Sequence, residues 1–131
     1  MLEINHYTKR YGDKKAVDDL TLHIAPGEIY GFIGHNGAGK TTTLKACAGI
    51  LQFDEGEIKI GGINIKDDPL ACKRITAYIP DNPDLYDFMS GIKYLNFIAD
   101  IFAVGEKERE ERIKKYADMF EITHDLSQPI A

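Results

Sequence analysis

An α/β fold is what this 131-residue sequence predicts, and three observations carry the expectation. A mostly apolar run, Glu28-Ile-Tyr-Gly-Phe-Ile33, leads into a glycine-rich stretch and then into residues of helical composition from Lys40 to Gly49. That strand, loop and helix order belongs to a parallel sheet buried on both faces. Other runs before residue 66 alternate apolar and polar residues with a period of two, as half-buried strands do. Beyond residue 91 apolar residues return at intervals of three and four, the period of amphipathic helices.

Composition sets the outer bounds. Lys plus Arg number 16 against 21 Asp plus Glu, a formal charge of −5, which excludes a strongly basic nucleic-acid binder. With 44% hydrophobic and 28% charged residues, the chain has the make-up of a soluble globular domain. Asp100 interrupts the most apolar stretch, Leu95 to Val104, well short of the roughly 18 residues of a membrane span. Met1 to Arg10 lacks the basic start and apolar core of an export signal, so a cytoplasmic location is expected. Cys47 and Cys72 form no Cys-x-x-Cys, and His6, His23, His35 and His124 are scattered. Free buried thiols and no zinc site are expected.

The elements follow in chain order. Leu2-Glu-Ile-Asn alternates, as do Leu20, Leu22 and Ile24 with Thr21 and His23, so the chain opens as sheet. Pro26-Gly27 makes a turn before the strand Glu28 to Ile33. The helix from Lys40 is expected to group Leu44, Cys47 and Ala48 on one face and to stop at Gly49. Ile58-Lys-Ile-Gly-Gly-Ile-Asn-Ile65 reads as an antiparallel hairpin turning at Gly61-Gly62. Ile75 to Ile79 is a further short strand, ended by Pro80 and an Asp- and Pro-rich loop through Asp87. Ile92, Leu95, Ile98 and Phe102 mark one helix; Ile113, Tyr116, Ala117 and Phe120 mark the next. The mixed charges of Glu106 to Lys115 suit a solvated helix face.

The chemistry concentrates in Gly34-His-Asn-Gly-Ala-Gly-Lys-Thr41, which fits G-x-x-x-x-G-K-S/T between a strand and a helix, the context the motif requires. Gly34, Gly37 and Gly39 are expected at positive φ, so that backbone N–H groups of the loop, from Gly34 through His35, Asn36, Gly37 and Ala38 to Gly39, converge on phosphate oxygens at a helix N-terminus. Lys40 can reach β- and γ-phosphates as a point charge, and the Thr41 hydroxyl can ligate a bridging Mg²⁺. Thr42 can serve the α-phosphate side.

The loop with the following Thr-Thr-Leu44, the preceding Pro26-Gly27-Glu28-Ile29-Tyr30-Gly31, and the later Phe53-Asp-Glu-Gly-Glu-Ile-Lys-Ile-Gly-Gly62 resemble the ATP-binding cassette (ABC) ATPases across nearly the whole chain. The resemblance implies a P-loop NTPase fold, as the N-terminal part of a cassette. Residues 1–90 would hold an antiparallel β subdomain and a partial parallel core sheet, and residues 91–131 the start of a helical subdomain. It implies ATP and Mg²⁺ as ligands. Lys9-Arg-Tyr-Gly12 resembles the family's adenine-stacking loop, which would set Tyr11 against the base, while an ordinary core or surface tyrosine is the competing reading. At the end of the strand 75–80 the family usually carries a glutamine that meets Mg²⁺ and the attacking water. Asp81 stands there in this chain, either as metal ligand and catalytic partner of Lys40 or as a solvated loop residue. The wording of Tyr78 to Tyr86 resembles the bacterial branch paired with multispan exporters.

The implied function is the ATP-binding subunit of a transporter, hydrolysing ATP with a second cassette to drive a membrane-spanning partner. Such a protein sits peripherally on the inner face of the cell membrane and engages no nucleic acid. A soluble ABC ATPase of translation or repair is the alternative, as is another P-loop enzyme, although Asn64-Ile-Lys-Asp67 displaces the lysine of the GTPase base-reading motif by one place. The family's signature loop, acidic strand and switch histidine lie downstream of a helical region like residues 91–120 and do not occur before Ala131. These 131 residues alone are therefore expected to bind nucleotide weakly without turnover, and a strand such as Ile29 to Ile33 to present unpaired backbone groups along an apolar edge.

Overall fold

Strand β1, Leu2–Tyr11, is bonded on both of its edges, to β2, Lys14–Ile24, and to β3, Glu55–Ile60, each antiparallel. The short β4, Ile63–Asn64, completes a sheet of order β2-β1-β3-β4. The computed structural model describes residues 1–80, 86 and 88–130. The chain divides into two compact units, Met1–Ile79 and Pro80–Ala131, ahead of the division at residue 90 expected from sequence.

In the first unit the hairpin forms as expected. Ile60 pairs with Ile63 across Gly61 and Gly62, whose φ values of 59° and 82° give the turn whose twist matches that of its strands. β1 departs from simple alternation. Strict alternation would turn His6 inward after Ile4, but the register slips on both sides of the Tyr7–Leu20 pair, and Tyr7 is buried while His6 is exposed. His6 and Asp19 take up the slips, each with left-handed backbone at φ 51° and 52°. Their side chains meet, His6 Nδ1 to Asp19 Oδ1 at 2.7 Å, and two hydroxyls receive the displaced amides. The His6 N–H donates to Thr21 Oγ1 at 3.1 Å, and the Asp19 N–H to Thr8 Oγ1 at 3.0 Å. Such bulges re-aim side chains, and here the side chain re-aimed is Tyr7.

Ile4, Tyr7, Ile58 and Ile65 from the sheet region, Ala46 from α1, Lys40–Cys47, and Cys72 from α2, Pro69–Arg74, make the buried cluster. Asp68 caps α2 by accepting the Ala71 N–H at 2.9 Å, with Pro69 in the first turn where a missing N–H costs nothing. α1 buries Thr43 and Ala46 and packs Cys47 against the core as expected, whereas Leu44 is exposed, which corrects its place on the face expected from Leu44, Cys47 and Ala48. A helix of 8 residues is too short for periodicity to identify its docked side. Thr43 can face inward because its hydroxyl is satisfied locally, donating to the Gly39 carbonyl at 2.9 Å.

The expected strands at residues 28–33 and 75–79 form no ladder, and no parallel pairing exists among the described residues. Ile29 is fully open to solvent, with Ile33 at 94% and Ile79 at 88% exposure. Their ordered bonds are local: Glu28 N–H to Ala25 O at 3.3 Å and Thr76 N–H to Lys73 O at 3.4 Å. A doubly buried parallel strand needs a neighbour along each edge, and no described segment supplies one. Among the described residues, Ile29 to Ile33 is therefore open chain and not the expected strand with an apolar edge.

The second unit contains α3, Gly91–Ile101, and α4, Glu106–Met119. Arg109 of α4 reaches back to α3, donating to Asn96 Oδ1 at 3.2 Å and to the Val104 carbonyl at 3.1 Å, and pairing with Asp100. The Tyr86 ring packs among Phe88, Tyr94 and Phe97 with centroids 5.6, 6.2 and 5.9 Å away. The start of α3 is satisfied by a later stretch of chain, Gly91 N–H to Gln128 O at 3.2 Å and Ile92 N–H to Leu126 O at 2.7 Å. Among the described residues no helix is long and apolar enough to cross a membrane.

Candidate phosphate-binding site

The glycine-rich loop runs directly into α1, and the glycines have separate tasks. Gly37 and Gly39 both stand at φ 84°, a conformation that costs an L-residue about 1–2 kcal/mol. Gly39 is also pressed against β2, because a Cβ there would lie 2.5 Å from the Ala16 carbonyl oxygen and 2.8 Å from Val17 Cγ2. Gly34, expected at positive φ, is not among the positive-φ glycines. Space there is tight: a Cβ would come 3.2 Å from that of Ala38, within the curl of the loop, and the neighbour would have to give by a few tenths of an ångström.

The helix beginning here carries no acidic residue in its first turn and no side-chain cap, so the partial positive charge of its N-terminus is left for a ligand. The Ala38 N–H is taken up within the loop, by the His35 carbonyl at 3.2 Å. Among the described residues nothing accepts from the amides of Gly37, Gly39, Lys40, Thr41 or Thr42. Lys40 folds back over the loop and donates from Nζ to the Gly34 carbonyl at 2.6 Å and the His35 carbonyl at 2.8 Å. An ammonium has three N–H donors, so one remains to meet an anion. His35 donates from Nδ1 to the Asn36 carbonyl at 2.8 Å.

Thr41 is exposed in the first turn. Among the described residues no group of three or more His, Cys, Asp or Glu side chains could hold a metal by itself. A single hydroxyl beside unbonded amides fits a Mg²⁺ that arrives with phosphate oxygens supplying most of its ligands. Asp81, the other expected metal ligand, lies outside the described residues.

Tyr11 closes β1, pairs with Lys14, and is 53% exposed, with the Lys9 ammonium 5.3 Å from its ring centroid. The loop and this tyrosine share one end of the sheet, since Gly39 abuts Ala16 and Val17, and Val17 pairs with Lys9 two residues before Tyr11. Sequence reading missed what holds that end in place. Asp54 accepts the Arg10 N–H at 2.7 Å and stands 3.6 Å from Lys9 Nζ. The Arg10 hydrogen bond, more than the Lys9 charge, holds its carboxyl below the usual range. Tyr7 was missed as well. Its hydroxyl donates to the Thr42 carbonyl at 3.5 Å, and only the bulged register reveals this. Cys47 and Cys72 are free thiols, as expected, and burial pushes both upward, Cys47 to about 11.

A family model described as ABC transporter matches residues 17–131. The ABC transporter ATP-binding protein YhcH of Bacillus subtilis is 36% identical over 126 residues, which are 95% of this chain and 41% of that protein. A solved ATP binding subunit of an ABC transporter matches with a TM-score of 0.90 at 32% identity, over 98% of this chain and 54% of that one. A dimeric ATP-binding cassette solved with ADP and Pi matches with a TM-score of 0.83 over 99% of this chain and 62% of that one, and at 22% identity this likeness concerns the fold. The chain thus spans about half of the solved subunit and about two fifths of the curated relative.

Proposed function

This chain belongs to the ABC transporter family, and from that premise we propose that it is the nucleotide-binding N-terminal part of a cassette that takes MgATP. The observation that carries the reading is the loop of residues 34–41, with unbonded amides at the start of α1 and Lys40 folded over its carbonyls. Lys40 directs its remaining N–H to the β- and γ-phosphates, and the first-turn amides of α1, including that of Thr42, receive the other oxygens. Thr41 offers its hydroxyl to Mg²⁺, which when bound neutralises phosphate charge. The exposed ring of Tyr11 stacks on the base, an interaction indifferent to base edges. Asp81 is assigned to the metal and the attacking water.

In the complete cassette the reaction is hydrolysis of ATP to ADP and phosphate, coupled through a membrane-spanning partner on the inner face of the membrane. Two cassettes close on the nucleotide, and residues 91–131 begin the helical subdomain that transmits the closure. Turnover is assigned to the complete cassette rather than to these 131 residues, because the family's acidic strand, which brings a further Mg²⁺ ligand and the catalytic Glu beside Thr41 and Asp81, is not among them.

Lys40→Ala tests the site. It removes a charged hydrogen-bond donor and no core contact, so MgATP affinity should fall by about 10- to 100-fold, with the circular dichroism spectrum unchanged. Equal calorimetric affinity for the variant and its parent rejects the phosphate site.

A further inference from the structure

We propose that Tyr7 is a positioning residue of this site, holding the first turn of α1 so that Lys40 and Thr41 face the phosphates; the proposal rests on the phosphate-binding reading above. Tyr7 lies on β1 and contributes nothing to the loop in sequence, yet its side chain is fully buried beneath α1. The hydroxyl donates to the Thr42 carbonyl at 3.5 Å, one residue beyond Thr41. Thr43, also buried, neighbours the phenol and donates its own hydroxyl to the Gly39 carbonyl at 2.9 Å. Two hydrogen bonds from adjoining buried side chains thus meet the start of α1, one at the Thr42 carbonyl and one at the carbonyl of the last glycine of the loop.

A buried apolar side chain of similar size would fill the same space. The ring already packs edge-on against Phe53, with centroids 5.4 Å apart and planes at 79°, so the hydroxyl is the part that packing does not require. Burial foremost, helped by the Cys47 thiol and opposed by the Thr43 hydroxyl, pushes it up to about 12, which favours the neutral, donating form. The inward orientation is itself secured from outside, because the joined bulges at His6 and Asp19 bracket Tyr7 and turn it toward α1.

The test compares Tyr7→Phe with Phe53→Leu in the complete protein as its gene encodes it. Tyr7→Phe deletes only the hydroxyl, whereas Phe53→Leu disturbs the same packing and spares both hydrogen bonds. MgATP affinity is read by calorimetry, melting temperature by circular dichroism, and amide exchange of Thr43, whose N–H bonds the Gly39 carbonyl at 2.9 Å, in nucleotide-free protein. Loss of one long, part-buried hydrogen bond predicts an affinity weakened by about two- to fivefold and Thr43 exchange quickened by a similar factor in Tyr7→Phe. Phe53→Leu should melt lower with affinity unchanged. Tyr7→Phe that alters only the melting temperature overturns the proposal, as does weakened affinity with Thr43 exchange unchanged, or an equal loss of affinity in Phe53→Leu. If the parent protein binds no MgATP, the phosphate-site reading falls, and Thr43 exchange in Tyr7→Phe still decides whether Tyr7 holds the turn.

Discussion

Residues 29–33, Ile-Tyr-Gly-Phe-Ile, are more apolar than residues 4–7, Ile-Asn-His-Tyr, yet it is the second segment that the structure buries. Ile4 and Tyr7, on a strand bonded along both edges, are at most 1% exposed, while Ile29 and Ile33 stand in solvent. Local preference for an extended chain is shared by both. Burial is not, because it needs partners, and β1 finds them in β2 across the tight turn that joins Tyr11 to Lys14 and in β3. Apolar content shows that a segment can be covered, and topology decides whether anything covers it.

The sharpest way to break this comparison is to truncate one isoleucine from each region in the 131-residue chain. Ile58→Ala, in the buried cluster, should cost about 2–5 kcal/mol. Ile33→Ala should stay within about 0.5 kcal/mol. Equal losses in urea titrations would mean that residues 28–33 are covered in solution.

Within the loop the same contrast can be drawn between two glycines at the same φ. Gly39→Ala adds a methyl group against the Ala16 carbonyl and should cost about 2–4 kcal/mol, whereas Gly37→Ala meets nothing within 4 Å and should cost only the left-handed penalty of about 1–2 kcal/mol. Similar losses from both would deny that the loop is pressed onto β2.

A smaller effect is expected from alkaline pH. Cys47 rises from 9.0 to about 11 and Tyr7 from 10.0 to about 12 on folding, both chiefly through burial. The folded state therefore prefers the neutral forms. Their contribution is whole below pH 9, and it fades as the unfolded chain ionises between pH 9 and 12. Raising the pH from 8 to 10.5 should lower unfolding stability by about 2–3 kcal/mol, and Cys47→Ala should flatten the first part of that decline. A decline beginning well below pH 9 would assign it to other groups.

The sequence by itself determined the local features of this protein. The loop of residues 34–41 and its helix were legible because a tight glycine-rich turn opening a helix restricts residue types at fixed spacing, and the hairpin because Gly61-Gly62 encodes its own turn. α3 and α4 were legible because a helix closes its hydrogen bonds within a few residues, so Ile92, Leu95 and Ile98 reveal it without reference to anything distant. Tertiary structure decided the rest. Whether residues 28–33 become a strand depends on partners that no local pattern encodes. Leu44 lies outward because α1 docks onto the sheet region through Thr43, Ala46 and Cys47, and Tyr7 lies inward because a double bulge reverses the alternation at His6. Each outcome is a matter of register or docking between segments far apart in the chain, and a one-residue slip there exchanges the two faces of a strand.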